Sequence, residues 1–161
     1  MIRFAFFAVA AIALFGCGPS DHAPTTVCSA EASPPPDGKA IARLGYGTNG
    51  PFQPISDGAV LTIDHGSQGG KHVWVSIQSF MPEKSTVVFS LTLSTPDGTV
   101  VAKGGVTANA CGKSWITATN QRVIFEDSYG PVPDGTLTLK VVANDGVGTS
   151  VSQSLSVTLQ P

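Results

Sequence analysis

The chain has 161 residues, a formal net charge of −2 and only 12% charged residues. That length suits one globular domain. A charge so low and so near balance gives no electrostatic reason to expect nucleic acid or an anionic membrane surface as a partner, since both call for clustered Lys and Arg.

Taken from the N-terminus, a lone Arg3 is followed by an apolar run over residues 4–15 that is too short to cross a bilayer as a helix. It reads as a signal peptide over residues 1–16. The run closes on Leu14-Phe15-Gly16-Cys17: an aliphatic residue, a variable position, a small residue and a cysteine. This resembles the lipobox of bacterial lipoproteins, which implies cleavage before Cys17 and acylation of that cysteine, with the membrane as a partner through the lipid. Gly18 stands where many Gram-negative lipoproteins of the inner membrane carry Asp. By the same resemblance, the outer membrane is the implied address.

Residues 17–39 carry Pro19, Pro24 and the run Pro34-Pro35-Pro36 with little apolar patterning. They read as a Pro-rich tether that is extended and semi-rigid, at about 3.1 Å per residue where it is polyproline-like. Of the three cysteines, acylation would use Cys17 and leave Cys28 and Cys111 in a compartment where disulfides persist. The expectation is a Cys28–Cys111 bond pinning the tether to the domain; two unpaired thiols or an intermolecular bond are the alternatives.

From residue 40 to 161 the periodicity is two. Val87, Phe89, Leu91 and Leu93 alternate with Val88, Ser90, Thr92 and Ser94, and the same pattern recurs in Leu137, Leu139, Val141 and Ala143 and in Val151, Gln153, Leu155, Val157 and Leu159. These are half-buried antiparallel strands. Weaker strands are predicted at residues 41–46, 59–64, 71–80, 99–103, 114–119 and 122–126. Turn chemistry separates many of them at Asp57-Gly58, Pro96-Asp97-Gly98, Pro133-Asp134-Gly135 and Asp145-Gly146. No segment has helical periodicity with caps.

Seven to nine short strands with an alternating core predict an all-β, immunoglobulin-like antiparallel β-sandwich. Residues 133–159, with an Asp-Gly entry, a Leu/Val strand, an Asn-Asp-Gly turn and a last strand, resemble the closing hairpin of immunoglobulin-like or fibronectin-type domains. The resemblance implies architecture only, because such sandwiches host many functions.

Chemistry-bearing residues concentrate at His65-Gly66-Ser67-Gln68-Gly69-Gly70-Lys71-His72-Val73-Trp74. In a hairpin loop, Gly69 and Gly70 would allow close backbone approach, while Gln68, Lys71 and Trp74 would offer hydrogen bonds, charge and a stacking surface; His65, Gln68, Gly69, Gly70, Lys71, His72 and Trp74 are the candidate ligand-binding residues. If Val73, Val75 and Ile77 face the core, His72 and Trp74 face outward; a Trp packed in the sandwich core is the other reading. If His65 ends one strand and His72 opens the next, two imidazoles could share a metal ion, although the local sequence supplies no third ligand.

Enzymatic signatures are absent: residues 66–69 fall short of a Gly-x-Ser-x-Gly elbow, and no acidic repeat fits a calcium loop. Glu126-Asp127 reads as a solvated strand end. The sequence therefore predicts a non-catalytic binding or interaction module without a cofactor, lipid-anchored in the envelope, with a protein or glycan ligand. The alternatives are a structural envelope protein that partners by sheet-edge addition, and a metal-binding protein acting through His65 and His72.

Overall fold

The computed structural model describes residues 25–29, 33–47, 50–66, 69–82 and 86–161. The lipobox, Cys17 and Gln68 lie outside the described residues. Among the described residues ten strands form one sheet: eight follow a hydrogen-bonded path, β2 (Ile41–Tyr46), β5 (Lys71–Phe80), β8 (Trp115–Phe125), β7 (Val100–Asn109), β6 (Thr86–Ser94), β9 (Thr136–Asn144), β10 (Ser150–Gln160) and β3 (Ala59–Thr62), and two lie off it, β1 (Thr25–Ser29) beside β8 and β4 (Asp64–His65) beside β5. The path curls so that its two halves face each other, giving an immunoglobulin-like sandwich with β2-β5-β8 in one layer and β7-β6-β9-β10-β3 in the other.

The alternating strands behave as their pattern dictates. Val87, Phe89, Leu91 and Leu93 of β6 and Leu137, Leu139, Val141 and Ala143 of β9 are buried, and they meet Val73, Val75 and Ile77 of β5 and Ile116, Ala118 and Val123 of β8. At about 25 cal/mol per Å² of apolar area, this shared core is what holds the layers together. Val157 of β10 is fully buried, while Val151, Leu155 and Leu159 are half-buried at the margin.

Three features differ from the sequence expectation. The segment expected as one strand over 59–64 changes sheets: β3 pairs parallel with β10, and β4 pairs antiparallel with β5. The parallel pair is possible because β3 and β10 are far apart in the chain, so the crossover that parallel strands need is available. Second, the strands expected at 114–119 and 122–126 are one, β8, which carries a bulge against β5 between Val75 and Ile77. Buried Asn120 takes the left-handed conformation there (φ 53°), which Asn tolerates better than most residues.

The third difference concerns the tether expected over 17–39. Thr25–Ser29 is not a free spacer but strand β1, paired antiparallel with β8 from Thr25–Thr119 to Ser29–Trp115. Cys28 lies within this strand and is bonded to Cys111, with Cα atoms 5.4 Å apart. Downstream, the Trp115 indole Nε1 donates to the Ser33 carbonyl (3.1 Å), and Gly38 N–H donates to Pro35 O (2.8 Å). Residues 33–40 therefore follow the surface of the sheet.

Strand β1 has room beside β8 because β7 leaves. The β7–β8 ladder is one pair, Lys103–Ile124. At the crossing, a Cβ on Gly104 would lie 2.1 Å from the Arg122 carbonyl oxygen, so only glycine permits the approach. Gly104→Ala should destabilise the domain by roughly 1–3 kcal/mol, whereas Gly70→Ala, where the added Cβ meets nothing, should be near neutral in urea unfolding.

The disulfide closes a loop with a sequence separation of 83. Replacing both Cys28 and Cys111 with Ser should cost up to about 4–5 kcal/mol in the chain-entropy model. Hydrogen exchange should then show protection lost along residues 115–119 of β8 and kept in β6 and β9.

The β6–β7 turn is tied by Asp97. Its carboxylate accepts from Thr95 Oγ1, from Thr99 N–H (3.2 Å) and from Thr99 Oγ1 (3.3 Å), and these bonds, the one from Thr95 first, hold its pKa below the ordinary 3.8. A lowered folded-state pKa means that the contribution is complete above 3.8 and is lost as pH falls through the lower folded value. NMR titration should place the Asp97 midpoint below 3.8, with the Thr95 and Thr99 resonances moving in step.

Candidate functional site

The Gly-rich segment is the hairpin loop between β4 and β5. It is closed by Gly66 N–H donating to Gly70 O (2.8 Å) and Gly69 N–H donating to Gly66 O (2.9 Å), with Gly69 in a left-handed conformation (φ 82°). Across this ladder His65 stands opposite Lys71, and Asp64 opposite His72. Directly opposed residues share a face, and consecutive ones do not. Lys71 is also opposite Phe125, a core residue, so His65 and Lys71 take the inward parity at the end of the sandwich. His72 is opposite Ile124, on the outer face.

The two histidines therefore point to opposite sides of the sheet, which overturns the reading in which His65 and His72 converge on one metal ion. The metal reading supposed that His72 opens the strand; β5 opens at Lys71, as the predicted span 71–80 has it, and that one-residue offset exchanges the faces. Among the described residues no three His, Cys, Asp or Glu side chains gather to hold a metal ion.

On the outer face, Trp74 Nε1 donates to Asp64 Oδ2 (2.9 Å), and His72 Nε2 lies 3.7 Å from the same oxygen. The His72 and Trp74 rings meet edge to face, with centroids 4.7 Å apart, and the Arg122 guanidinium carbon lies 5.1 Å from the Trp74 ring centre. The Gly47 backbone runs so close to Trp74 that a Cβ there would come within 2.4 Å of Trp74 Cβ. Trp74 is thus outward-facing and half-buried, not part of the sandwich core. Asp64, His72, Trp74 and Arg122 form a clamp that ties β4 to β5 and β8.

The inward set lines the end of the sandwich. Gly69, Gly70 and Lys71 border an open hollow of about 350 Å³ whose far wall is Phe125, Glu126, Asp127 and residues 130–132. His65 and Lys71 border a neighbouring hollow of about 200 Å³ with Ile63, Asp134, Leu159 and Pro161. Both share Lys71 and Val132. One ammonium group, one imidazole and several carboxylates thus ring an apolar floor. The 3₁₀ turn Asp127–Tyr129 places the acidic wall. Sequence reasoning missed that wall by reading Glu126-Asp127 as a strand end; the available signal was the pairing of residue 125 with residue 71, which becomes visible only with the register.

No protein-family model matches the sequence, and neither does any curated protein. Among solved structures the chain is similar to the CooA pilin subunit from enterotoxigenic Escherichia coli, at 9% identity over 75% of this chain and 99% of that one, with a TM-score of 0.35. It is also similar to the N-terminal domain of PorA, at 10% identity over 74% and 97%, with a TM-score of 0.33. At such scores neither likeness bears on function.

If the clamp is structural, Trp74→Phe removes one hydrogen bond to a partly solvated carboxylate and should cost about 1 kcal/mol in urea unfolding. A double-mutant cycle with Asp64→Ala should return a coupling of roughly 0.5–1.5 kcal/mol.

Proposed function

We propose that the chain is an exported, lipid-anchored envelope protein whose sandwich is a non-catalytic binding module for a protein or glycan. The observation that carries the recognition reading is the pair of adjoining hollows that share Lys71, where His65, Glu126, Asp127 and Asp134 surround apolar Phe125, Ile63 and Leu159. Mixed charge over an apolar floor, in a shallow and open setting, suits a polar ligand held by hydrogen bonds at its rim. Glu126, Asp127 and Asp134 sit on connecting segments, which can vary without disturbing the core, and His65 and Lys71 stand at the strand ends beside them. His72 and its nearby Asp64 lie on the other side of the sheet and do not join them. The anchor rests on the signal peptide and on Leu14-Phe15-Gly16-Cys17.

A second reading, partnering by strand addition, is favoured by one feature of β10. Strand β3 covers only Val157–Gln160, and Ser156 is capped by Asp57 and Gly58. Among the described residues, no strand pairs with the outer side of 150–155. Such an edge is a template for another strand.

The test of the module is capture from envelope extracts and glycan arrays with three variants beside the parent. Lys71→Ala with Glu126→Ala should weaken binding at least about tenfold, the equivalent of 1.4 kcal/mol, and Trp74→Phe should not. Ser152→Pro puts an edge-blocking residue on the outer side of β10; if it alone abolishes capture, the strand-addition reading replaces the loop-end reading. Mass spectrometry of the membrane-extracted protein should find an acylated Cys17, absent in Cys17→Ser, which would partition to the soluble fraction.

A further inference from the structure

The outer face of the β2-β5-β8-β1 layer brings together arginine, tryptophan and exposed aliphatic side chains. Its outward residues follow from the ladders: Arg43 opposite Gln78, Gln78 opposite Thr117, Thr117 opposite Val27, and Trp74 opposite Arg122. Val27 is 47% exposed and Ile124 43% exposed. Val27 borders a hollow of about 350 Å³ together with Pro51, Phe52 and Thr117. Exposed Arg43 lies over the Trp115 ring at 4.7 Å, and exposed Arg122 over the half-buried Trp74 ring at 5.1 Å.

Arg122 shares its clamp with the Asp64 carboxylate, which accepts from the Trp74 indole beneath it. Residues 44–56 of the sequence contain no charged residue, and Asp37 is paired with Lys39 at 3.3 Å. Two arginines, a Trp with an amphipathic ring, exposed Val27 and Pro51 and half-buried Phe52 are groups that settle at the headgroup level of a bilayer.

The length of chain ahead of β1 specifies the partner. Between Cys17 and Thr25 there are eight Cα steps, no more than roughly 29 Å fully extended. Strand β1 belongs to this very layer, and the disulfide keeps it there. An anchor that short holds the face at an effective concentration in the millimolar range relative to the lipid surface, so contacts too weak to bind in free solution suffice.

We infer that the outer face of the β2-β5-β8-β1 layer, with Val27, Phe52, Arg43, Arg122 and Trp74, docks on the phosphate-bearing headgroup surface of the membrane that holds the lipid anchor. This rests on acylation of Cys17. Docking turns the β7-β6-β9-β10-β3 layer away from the lipid and leaves the loop end at the side of the domain. The arginines meet lipid phosphates, and the apolar groups enter the region just beneath.

The experiment uses the full lipidated chain in vesicles of phosphatidylethanolamine and phosphatidylglycerol, some carrying a nitroxide near the headgroup. Tryptophan emission, read for each variant with and without the nitroxide, reports the approach, because Trp74 lies on the docking face and Trp115, beneath Arg43, is 1% exposed. Quenching is expected in the parent. Val27→Asp with Arg43→Glu, both at exposed positions, should abolish most of it while the circular dichroism and the melting curve stay unchanged. Inserting about 20 Gly/Ser residues between Pro24 and Thr25 should lower the effective concentration roughly eightfold, by the −3/2 power of leash length, and quenching should fall with it.

Mass spectrometry of the same sample separates the two readings. An unmodified Cys17 removes the anchor, and the docking inference with it. An acylated Cys17 with Trp74 unquenched, or with quenching indifferent to both the face variant and the longer leash, overturns the docking and leaves the anchor standing.

Discussion

Strand β8 pairs with β5 along one side, but on its other side β7 meets it only at Lys103–Ile124. The departure of β7 follows from the crossing at Gly104, where the two backbones are too close for any side chain. A bare stretch of β8 next to the core would leave backbone N–H and C=O groups open to any extended chain. Thr25–Ser29 fills that stretch, and the bond from Cys28 to Cys111 makes the filling permanent in an oxidising compartment. The covalent bond is needed because β1 itself buries almost nothing: its first four residues are exposed and the fifth is only half-buried. Backbone pairing alone, at a net of about 1 kcal/mol per hydrogen bond or less, would not hold five residues against their conformational entropy.

That one pairing sets the relation between the domain and whatever precedes it. Without it, residues 17–39 would form a spacer long enough to let the domain tumble far from its attachment. With it, only residues 18–24 remain between Cys17 and the sheet, and they join it at the middle of β8. The layer that carries β1 also carries the Asp64–His72–Trp74–Arg122 clamp and the two arginine–tryptophan contacts. Loops 66–70 and 126–135 lie at the end of the sandwich away from Cys28 and Cys111, since β8 runs from Trp115, opposite Ser29, to Phe125, opposite Lys71. In the proposed reading, attachment and recognition are thereby separated along a single strand.

Period-two patterns made the core strands legible in the sequence, because burial on one face imposes alternation whatever the partner is. Strands β2 and β5 have the bounds that pattern and turn residues indicate. What the sequence hid were features set by partners distant in the chain. The TTVCS segment of β1 has no core face of its own, so no alternation marks it as a strand. Strand β7 continues through Gly104-Gly105, which by composition reads as a turn. The β4–β5 hairpin lies where the sequence places a loop, but the residues around it divide into an inward group of His65 and Lys71 and an outward group of His72 and Trp74. That division depends on a register offset of one residue, and periodicity alone does not fix it.

Net charge illustrates the same limit. A value of −2 argues against an electrostatic partner only if the charges are spread evenly. In the folded chain Glu126, Asp127 and Asp134 collect around the loop end, while Arg43 and Arg122 stand on the outer face over Trp115 and Trp74. Each surface then has a local sign that the sum conceals, and at a Debye length of about 8 Å in physiological salt a ligand responds to the local sign. With so few charged side chains, moving any one of them from one face to another would change the character of both surfaces. The physical reading of this protein accordingly depends less on which charges it carries than on which side of β5 and β8 the pleat places them.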